Sequence, residues 1–459
     1  MSRRQVSLGA MVAATPDTRD RYADLLRVGS LGGVILGHFF MAAVAIDHAA
    51  GTITVANVLD TQAWARPLTL IFQVMPIFFV VGGFAHATAW RTVRRRGGGY
   101  ADFIRSRIVR LMGPTFLFVG VWQIVAVVVE ATTGDDAATG PVLQVAGQLL
   151  WFLGIYLIAV GLAPALLTAH ERWGWRVLAT LAGAVVLVDV LRLAVGIDGV
   201  KWLNFALVWL TVHQLGFFYA DGVADRVGAR RLGGTMLGGG AVVLALLVWL
   251  GPYSTTMVSY AGEHLSNLAP PTVALLAFAV AQAGALLLLR GPATRWLARR
   301  RVWATVIVAG SVAMTAFLWH FTALIGVHLL LWALGVDLSG DPSTAAFWWV
   351  KLAMLVPFLA LVLALVIAVR FAERPPRRVP PAGPSRGRAA VAGLSVVLGI
   401  VGLLGFAVTG FQGAGGWYVG HLVGIPITEQ IAFAFVAGSL AAAELAVWFR
   451  VVRAYPEHS

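Results

Sequence analysis

The sequence predicts an all-α fold, a polytopic transmembrane helical bundle of about 12 spans. Of its 459 residues, 59% are hydrophobic and 12% are charged, and this apolar share is higher than soluble globular proteins have. The apolar residues form repeated runs of about 20, the length of a helix that crosses a bilayer. The alternation of apolar and polar residues that marks the strands of a membrane barrel is absent. A helical membrane protein is therefore expected.

The spans follow one another along almost the whole chain. We predict them at residues 23–46, 68–90, 111–130, 142–168, 175–195, 202–220, 235–253, 271–290, 303–333, 346–370, 389–411 and 427–450. Residues 373–388 are rich in proline and arginine and cannot pack as a helix. The predicted parts are a cytoplasmic N-terminal tail (1–22), a ten-span membrane domain (23–372), a cytoplasmic linker (373–388), and two additional transmembrane helices with a short tail (389–459).

The basic residues predict the orientation of these spans. With the N-terminus inside, nearly all of the 34 lysines and arginines fall in cytoplasmic segments, and only Arg66, Arg192, Lys201 and Lys351 lie on or near the outer side. This bias is the positive-inside rule. A multi-pass protein of the cell (cytoplasmic) membrane with a cytoplasmic N-terminus is expected. Most of the net charge of +13 reflects this topology, so the lipid bilayer is the expected partner, and nucleic acid is not.

Some kinds of chemistry are excluded by composition. The chain contains no cysteine, which excludes disulfide bonds, thiolate catalysis and cysteine metal sites. Its histidines and acidic residues are too scattered to predict a metal site. A glycine-rich phosphate loop at a strand-to-helix turn is also absent from the sequence. Candidate functional residues are therefore sought among the polar residues inside the spans.

The first span contains two polar residues that are energetically unfavourable inside a membrane. Arg27 and His38 are eleven positions apart in an otherwise apolar stretch, where ionisable residues are functional by default. On a helix this separation advances about 1100°, which is about 20° past three turns, and rises about 16 Å. The two side chains are therefore expected on one face, with Arg27 near the cytoplasmic surface and His38 past the midplane.

The first span resembles the opening of the membrane-bound acyltransferase 3 family, in which an aspartate, an arginine three positions later and, after ten further residues, a histidine recur. Asp24, Arg27 and His38 occupy these positions. Four more segments are similar to motifs of the family, and together the five cover the first ten spans. These segments are 76–84 (PIFFVVGGF, with Gly82 where serine is commoner), 103–114 (FIRSRIVRLMGP, with Pro114 one place later than usual), 150–153 (LWFL) and 316–321 (AFLWHF).

The resemblance implies an O-acyltransferase that moves a short acyl group, expected to be acetyl, from cytosolic acyl-CoA to a hydroxyl of a glycan, lipid-linked sugar or secondary metabolite. Acyl-CoA (acetyl-CoA) is then a donor substrate, and no permanently bound cofactor is expected. His38 is the expected general base for the hydroxyl proton. Asp24 is counted with His38 and His320 among the expected catalytic residues, and it is expected to pair with Arg27 and orient it. His320, at a comparable depth on the ninth span, is expected to shape the acceptor pocket or to donate to the oxyanion.

Arginines on the cytoplasmic side suit the phosphates of such a donor. Arg107 and Arg110 lie one turn apart at the inner end of the third span. Guanidinium groups are permanently charged and form paired hydrogen bonds with phosphate. Arg27, Arg107 and Arg110 are therefore the predicted donor-binding residues, from which the pantetheine arm of the donor reaches toward His38.

Other interpretations stay open at this point. A small-molecule transporter is the alternative function, because many spans and buried charge are also found in carriers. His38 is either the general base, a residue that carries the acyl group itself, or a packed polar residue between helices. His86 and His213 either line the donor channel or link helices. The outer segment 253–271 is either a lid over an acceptor or a simple connection.

Overall fold

A computed structural model describes residues 15–16, 19–47, 52–133, 136–336, 340–373, 380–381, 383–412, 419–422 and 424–448. Within this part of the chain, eleven helical segments are long and apolar enough to cross a membrane. A further helix, Trp175–Leu193, has 19 residues and carries three charged side chains, Arg176, Asp189 and Arg192. The predicted all-α polytopic bundle is confirmed, with a number of spans close to that expected.

We number the longer helices in chain order. They are α1 (Arg21–Met41), α2 (Met75–Arg95), α3 (Tyr100–Thr133), α4 (Asp136–Gln148), α5 (Leu150–Trp173), α6 (Trp175–Leu193), α7 (Asn204–Ala220), α8 (Ala229–Leu250), α9 (Val273–Leu297), α10 (Arg300–Ala333), α11 (Ala345–Val369), α12 (Arg386–Thr409) and α13 (Glu429–Trp448). Two antiparallel hairpins join strands β1 (Ala42–Asp47) and β2 (Thr52–Asn57), and β3 (Gly420–Leu422) and β4 (Ile425–Ile427). Short helical turns occupy Val58–Thr61, Ala63–Leu68, Thr69–Phe72, Asp198–Leu203, Val223–Val227 and Arg370–Glu373.

The first predicted span, residues 23–46, is partly wrong. Helix α1 ends at Met41, and the chain continues from Ala42 as strand β1. Hydropathy does not separate the two states, because a short run of alanine, valine and isoleucine is apolar in either one. The ammonium group of Lys351 donates to the carbonyl of Ala42 at 2.5 Å and so satisfies a carbonyl just past the helix end. His38 consequently lies in the last turn of α1, at the hairpin end of the bundle.

Glycines allow the close crossing of α2 and α7. A side chain at Gly83 would overlap the backbone of His213 and Gly216, and one at Gly216 would overlap the backbone of α2. Small residues are the usual means by which membrane helices approach closely. The adjacent Gly82 faces the ring of Tyr156 on α5, so both glycines of the second motif serve helix packing.

The outer segment between α8 and α9 is fixed by polar contacts. The side-chain amide of Gln73, just before α2, donates to the carbonyl of Met257 at 2.6 Å. Asp189 of α6 accepts from the Tyr253 hydroxyl (3.1 Å), and burial together with this carboxylate raises the pKa of Tyr253. Arg192 forms its ion pair with Asp198 (3.5 Å) and not with Asp189. The segment is thus held in place from the neighbouring helices.

The last two helices pack against the rest of the bundle. Helix α12 lies against α3 and α5, and α13 lies against α3. The guanidinium of Arg105 on α3 holds both carboxylate oxygens of Glu444 on α13, at 3.0 and 3.1 Å. Of the predicted linker and the two predicted tails, residues 374–379, 382, 1–14, 17–18 and 449–459 lie outside the described residues.

Candidate active site

Two histidines from different helices meet at the hairpin end of the bundle. Nδ1 of His38, on α1, lies 2.8 Å from Nε2 of His320, on α10. Their rings are nearly parallel, with centroids 5.1 Å apart. The ring of Phe321 stacks against both imidazoles, with centroids 4.9 and 4.7 Å away. The prediction that the two imidazoles share one layer of the bundle is confirmed.

The hydrogen bonds of this pair determine its tautomers. Nδ1 of His320 lies 2.5 Å from the carbonyl oxygen of Phe317, and a carbonyl can only accept, so this nitrogen carries the proton. In neutral His320, Nε2 is then the acceptor for the Nδ1–H of His38. Within the described residues the side chain of His38 makes no other hydrogen bond. Nε2 of His38 is therefore an unprotonated nitrogen that can take a proton.

His38 lines a large cavity at the hairpin end of the bundle. The cavity has a volume of about 1200 Å³, and its walls come from helices, both β-hairpins and the outer segment. Phe78, Phe152 and Phe317 form part of its apolar surface. His320 is fully buried and does not line it, so this residue acts on the cavity only through His38. A reactant in the cavity therefore has access to the imidazole of His38, and the imidazole of His320 holds that ring by a hydrogen bond from the buried side.

The three predicted donor-binding arginines come together on the other side of the bundle. The guanidinium groups of Arg27, Arg107 and Arg110 are all close enough to interact electrostatically with the hydroxyl of Tyr156. The guanidinium of Arg107 also lies 5.6 Å from the centre of the Phe103 ring. Within the described residues, the buried Nε atoms of Arg27 and Arg107 have no hydrogen-bond acceptor. Buried donors without a partner are rare and costly, and they suit an anionic ligand.

Asp24 belongs to the arginine cluster and not to the histidine pair. Its carboxylate lies 3.3 Å from Nη2 of Arg27 and 2.6 Å from Nε of Arg19. Along α1 it is about 21 Å from His38, so its side chain does not reach the imidazoles. The predicted pairing of Asp24 with Arg27 is confirmed, and the catalytic role given to Asp24 stays a prediction.

A second pair of histidines lies deeper between α2 and α7. Nδ1 of His86 is 2.9 Å from Nε2 of His213, and the hydroxyl of Tyr156 is 3.1 Å from Nε2 of His86. All three side chains link helices, and none lines the cavity. The intramembrane histidines were visible in the sequence, but the part played by Tyr156 was missed, because a tyrosine in an apolar span carries no signal of its own.

A polar network continues this link toward the arginine-rich end of α2. The side-chain amide of Gln214 bonds Nδ1 of His170 (2.8 Å), and Nε2 of His170 lies 2.9 Å from Asp221, which pairs with Arg91 at 2.8 Å. Partial burial alone raises the pKa of Asp221, but the hydrogen bonds from His170 and Arg91 outweigh it and leave the pKa below its usual value. The carboxylate of Asp221 is thus stabilised in its charged form.

Comparison with known proteins identifies the family. A family model described as an acyltransferase domain matches residues 20–371, which include both histidine pairs and the arginine cluster. No curated protein and no solved structure matches the chain. The match covers far more than half of the sequence, and the helices are those of a multi-pass membrane protein. The chain therefore belongs to the acyltransferase 3 family and is a membrane acyltransferase.

Proposed function

We propose that the protein transfers a short acyl group, acetyl in the first instance, from cytosolic acyl-CoA to a hydroxyl of a glycan, lipid-linked sugar or secondary metabolite, and that it does so in the cytoplasmic membrane. The observation that carries the proposal is the unprotonated Nε2 of His38, which lines a cavity large enough for an acceptor. A base needs access to the proton that it removes, and this nitrogen has it.

The arginine cluster supports a phosphate-bearing donor. Arg27 and Arg107 each hold a buried Nε–H without an acceptor in the described part of the chain, and Arg110 lies near them. Phosphate oxygens would satisfy these donors through charge-assisted hydrogen bonds. The predicted topology puts this cluster on the cytoplasmic side, where acyl-CoA is available.

Helix α1 connects the two ends of the site. Ser30 and Val34, which lie between Arg27 and His38 along the helix, both line the cavity. Ser30 is three residues from Arg27, and its hydroxyl donates to the Arg27 carbonyl at 3.0 Å. The cavity therefore extends along α1 to within one turn of the arginine. A donor held by its phosphates at Arg27 would extend its pantetheine arm along this face toward His38.

The proposed reaction is a direct acyl transfer. The acceptor oxygen attacks the thioester carbonyl carbon while Nε2 of His38 takes the hydroxyl proton. The C–O bond forms, the C–S bond breaks, and the proton on His38 passes to the departing thiolate, which leaves as the free thiol of CoA. While His38 is protonated, its Nδ1–H keeps the hydrogen bond to His320, so the cation is stabilised and its ring stays in place.

Donor binding tests this proposal without knowledge of the acceptor. We would measure acetyl-CoA binding by calorimetry for the wild type and for Arg107→Ala, Arg27→Ala and His38→Ala, with Arg299→Ala, an exposed arginine on the same predicted side, as the matched control. We expect about tenfold or greater loss for the first two variants, since each removes a charge-assisted contact, and near-normal binding for the others.

Slow hydrolysis of the donor then tests the base. His38→Ala should bind acetyl-CoA but lose hydrolysis, because water would also be activated by Nε2. A wild-type protein that binds neither acetyl-CoA nor longer acyl donors contradicts the proposal and favours the transporter. Equal loss of binding in Arg107→Ala and Arg299→Ala would contradict the phosphate site.

A further inference from the structure

Part of the wall of the His38 cavity lies outside the acyltransferase domain. The domain match ends at residue 371, but Leu404, Ala407 and Val408 of α12 line the cavity, as does Leu422 of strand β3. These residues face the same space as His38. The two C-terminal helices therefore do more than add spans to the bundle.

The C-terminal wall is held rigidly against α4 and α5. A side chain at Gly154 of α5 would overlap Leu404, and one at Gly410 would overlap the backbone at Gln144 of α4. Gly410 also has a φ of +68°, a conformation that favours glycine, directly after the last residue of α12. Such close contacts leave little freedom for the wall to move away from a bound molecule.

The rigidity extends to the partner helix α13. Ser395 and Ser439 exchange two buried hydrogen bonds, each hydroxyl donating to the other residue's carbonyl at 2.7 and 2.8 Å. Together with the paired contact between Arg105 and Glu444, these bonds fix α12 between α13 and the domain. The wall is therefore part of one packed body with the His38–His320 pair.

The lining of the cavity indicates which acceptors it suits. Within the helices the surface is mainly aliphatic and aromatic, with Phe78, Phe152 and Leu404 as examples. Polar groups such as Asn57 and Tyr260 are contributed by the β1–β2 hairpin and the outer segment, and a few more, such as Gln148, His328 and His421, by the helices and strand β3. Apolar walls with a few placed polar groups bind ligands that bury an apolar body. A sugar without an apolar part would lose more water on entering than these few polar groups replace, and it would gain nothing from the apolar wall.

We propose that this cavity accepts an amphipathic alcohol, and that the C-terminal wall, Leu404, Ala407, Val408 and Leu422, selects it by packing against its apolar part while the hydroxyl lies at His38. The proposal rests on the proposed function, since it deepens the acceptor side of the same reaction. If the proposal is correct, the choice of acceptor depends on residues that follow the acyltransferase domain in the chain.

The test uses the full-length protein, purified in lauryldimethylamine oxide, a detergent without hydroxyl groups. Release of CoA from acetyl-CoA is followed with a thiol reagent, which detects only the product because the chain has no cysteine. The acceptor probes are n-octyl-β-D-glucoside and D-glucose, which share a head group and differ in the alkyl chain. Val408→Trp fills the cavity, and Val397→Trp, an exposed position on the same helix, is the matched control.

In wild type and in Val397→Trp, we expect octyl glucoside to raise the rate of CoA release about tenfold or more above the rate of hydrolysis without acceptor, and we expect glucose not to raise it. In Val408→Trp, we expect octyl glucoside to lose this stimulation. Hydrolysis without acceptor should be unchanged in Val397→Trp, and thermal unfolding of both variants near the wild-type temperature would show that they fold. Stimulation retained in Val408→Trp, equal stimulation by glucose, or none by octyl glucoside would overturn the inference. If wild type hydrolysed acetyl-CoA no faster than His38→Ala, that result would instead overturn the proposed function.

Discussion

The molecule contains two histidine pairs with nearly the same distance between their ring nitrogens and very different surroundings. The ring nitrogens are 2.8 Å apart in the His38–His320 pair and 2.9 Å apart in the His86–His213 pair. His38 lines a cavity, whereas His86 and His213 are 1% and 0% exposed and do not line it. Pairing of imidazoles is therefore not what distinguishes a catalytic candidate. Access of one ring nitrogen to a space that a reactant can enter is the distinguishing property.

The largest expected effect separates the two pairs directly. His38→Ala removes the proposed base and should lower kcat for acyl transfer by about 10²–10⁴-fold. His213→Ala, the matched change in the sealed pair, should lower it less than about tenfold, because it alters helix contacts only. Initial rates of CoA release with a productive acceptor would check this. Equal losses of kcat in the two variants would show that access to the cavity does not identify the catalytic pair.

The next effect concerns the residue behind the base. His320→Ala removes the acceptor for the Nδ1–H of His38 and should lower kcat by about 10–100-fold with little change in KM for acetyl-CoA. His320→Asn should recover part of the rate, because its amide oxygen can accept the same hydrogen bond. A rise in KM with unchanged kcat would contradict a positioning role and indicate contact with the donor.

The sealed pair should matter for stability more than for rate. His86→Phe leaves Nε2 of His213 and the Tyr156 hydroxyl without their partner, and we expect a loss of about 1 kcal/mol in the free energy of unfolding. Thermal unfolding of the purified protein would measure it, with kcat determined on the same samples. The matched variant Tyr156→Phe removes a single hydrogen bond and should cost less. A larger loss of kcat than of stability would assign the pair to the reaction.

The smallest effect is a pH dependence at the cytoplasmic end of the network. The pKa of Asp221 lies below its ordinary value of 3.8, so its charged form stabilises the folded protein above that pH. This contribution to stability is lost as the pH falls from the ordinary pKa of an aspartate through the lower pKa that Asp221 has in the folded protein. Asp221→Asn should thus unfold at a lower temperature than wild type at neutral pH, and the difference should shrink below about pH 4. A constant difference between the two proteins would contradict the linkage.

The sequence was sufficient for much of the architecture. Long apolar runs predicted the bundle, because in lipid a backbone must satisfy its hydrogen bonds within a helix or a closed barrel. It failed where composition is ambiguous, as at Ala42, where an apolar run leaves α1 as a strand.

The candidate site divides in the same way. Arg27, His38, Arg107, Arg110 and His320 could each be named from residue type, spacing and the resemblance to a family, because polar groups inside apolar spans are conspicuous. Only the tertiary structure decided that His38 donates to His320 and that two arginine Nε atoms are buried without a partner in the described residues. Contacts between helices that are far apart in the chain cannot be predicted from the periodicity of apolar residues along one helix.

What the sequence by itself determined is the class of protein and the approximate spans, and it named the candidate residues for acyl transfer. The division of the histidines into a pair that reaches the cavity through His38 and a sealed pair, and the use of Leu404 and Val408 from outside the acyltransferase domain as a cavity wall, came only from the tertiary structure. The physical reason is that hydropathy and spacing act along one helix, whereas access, burial and tautomer depend on which helices pack together.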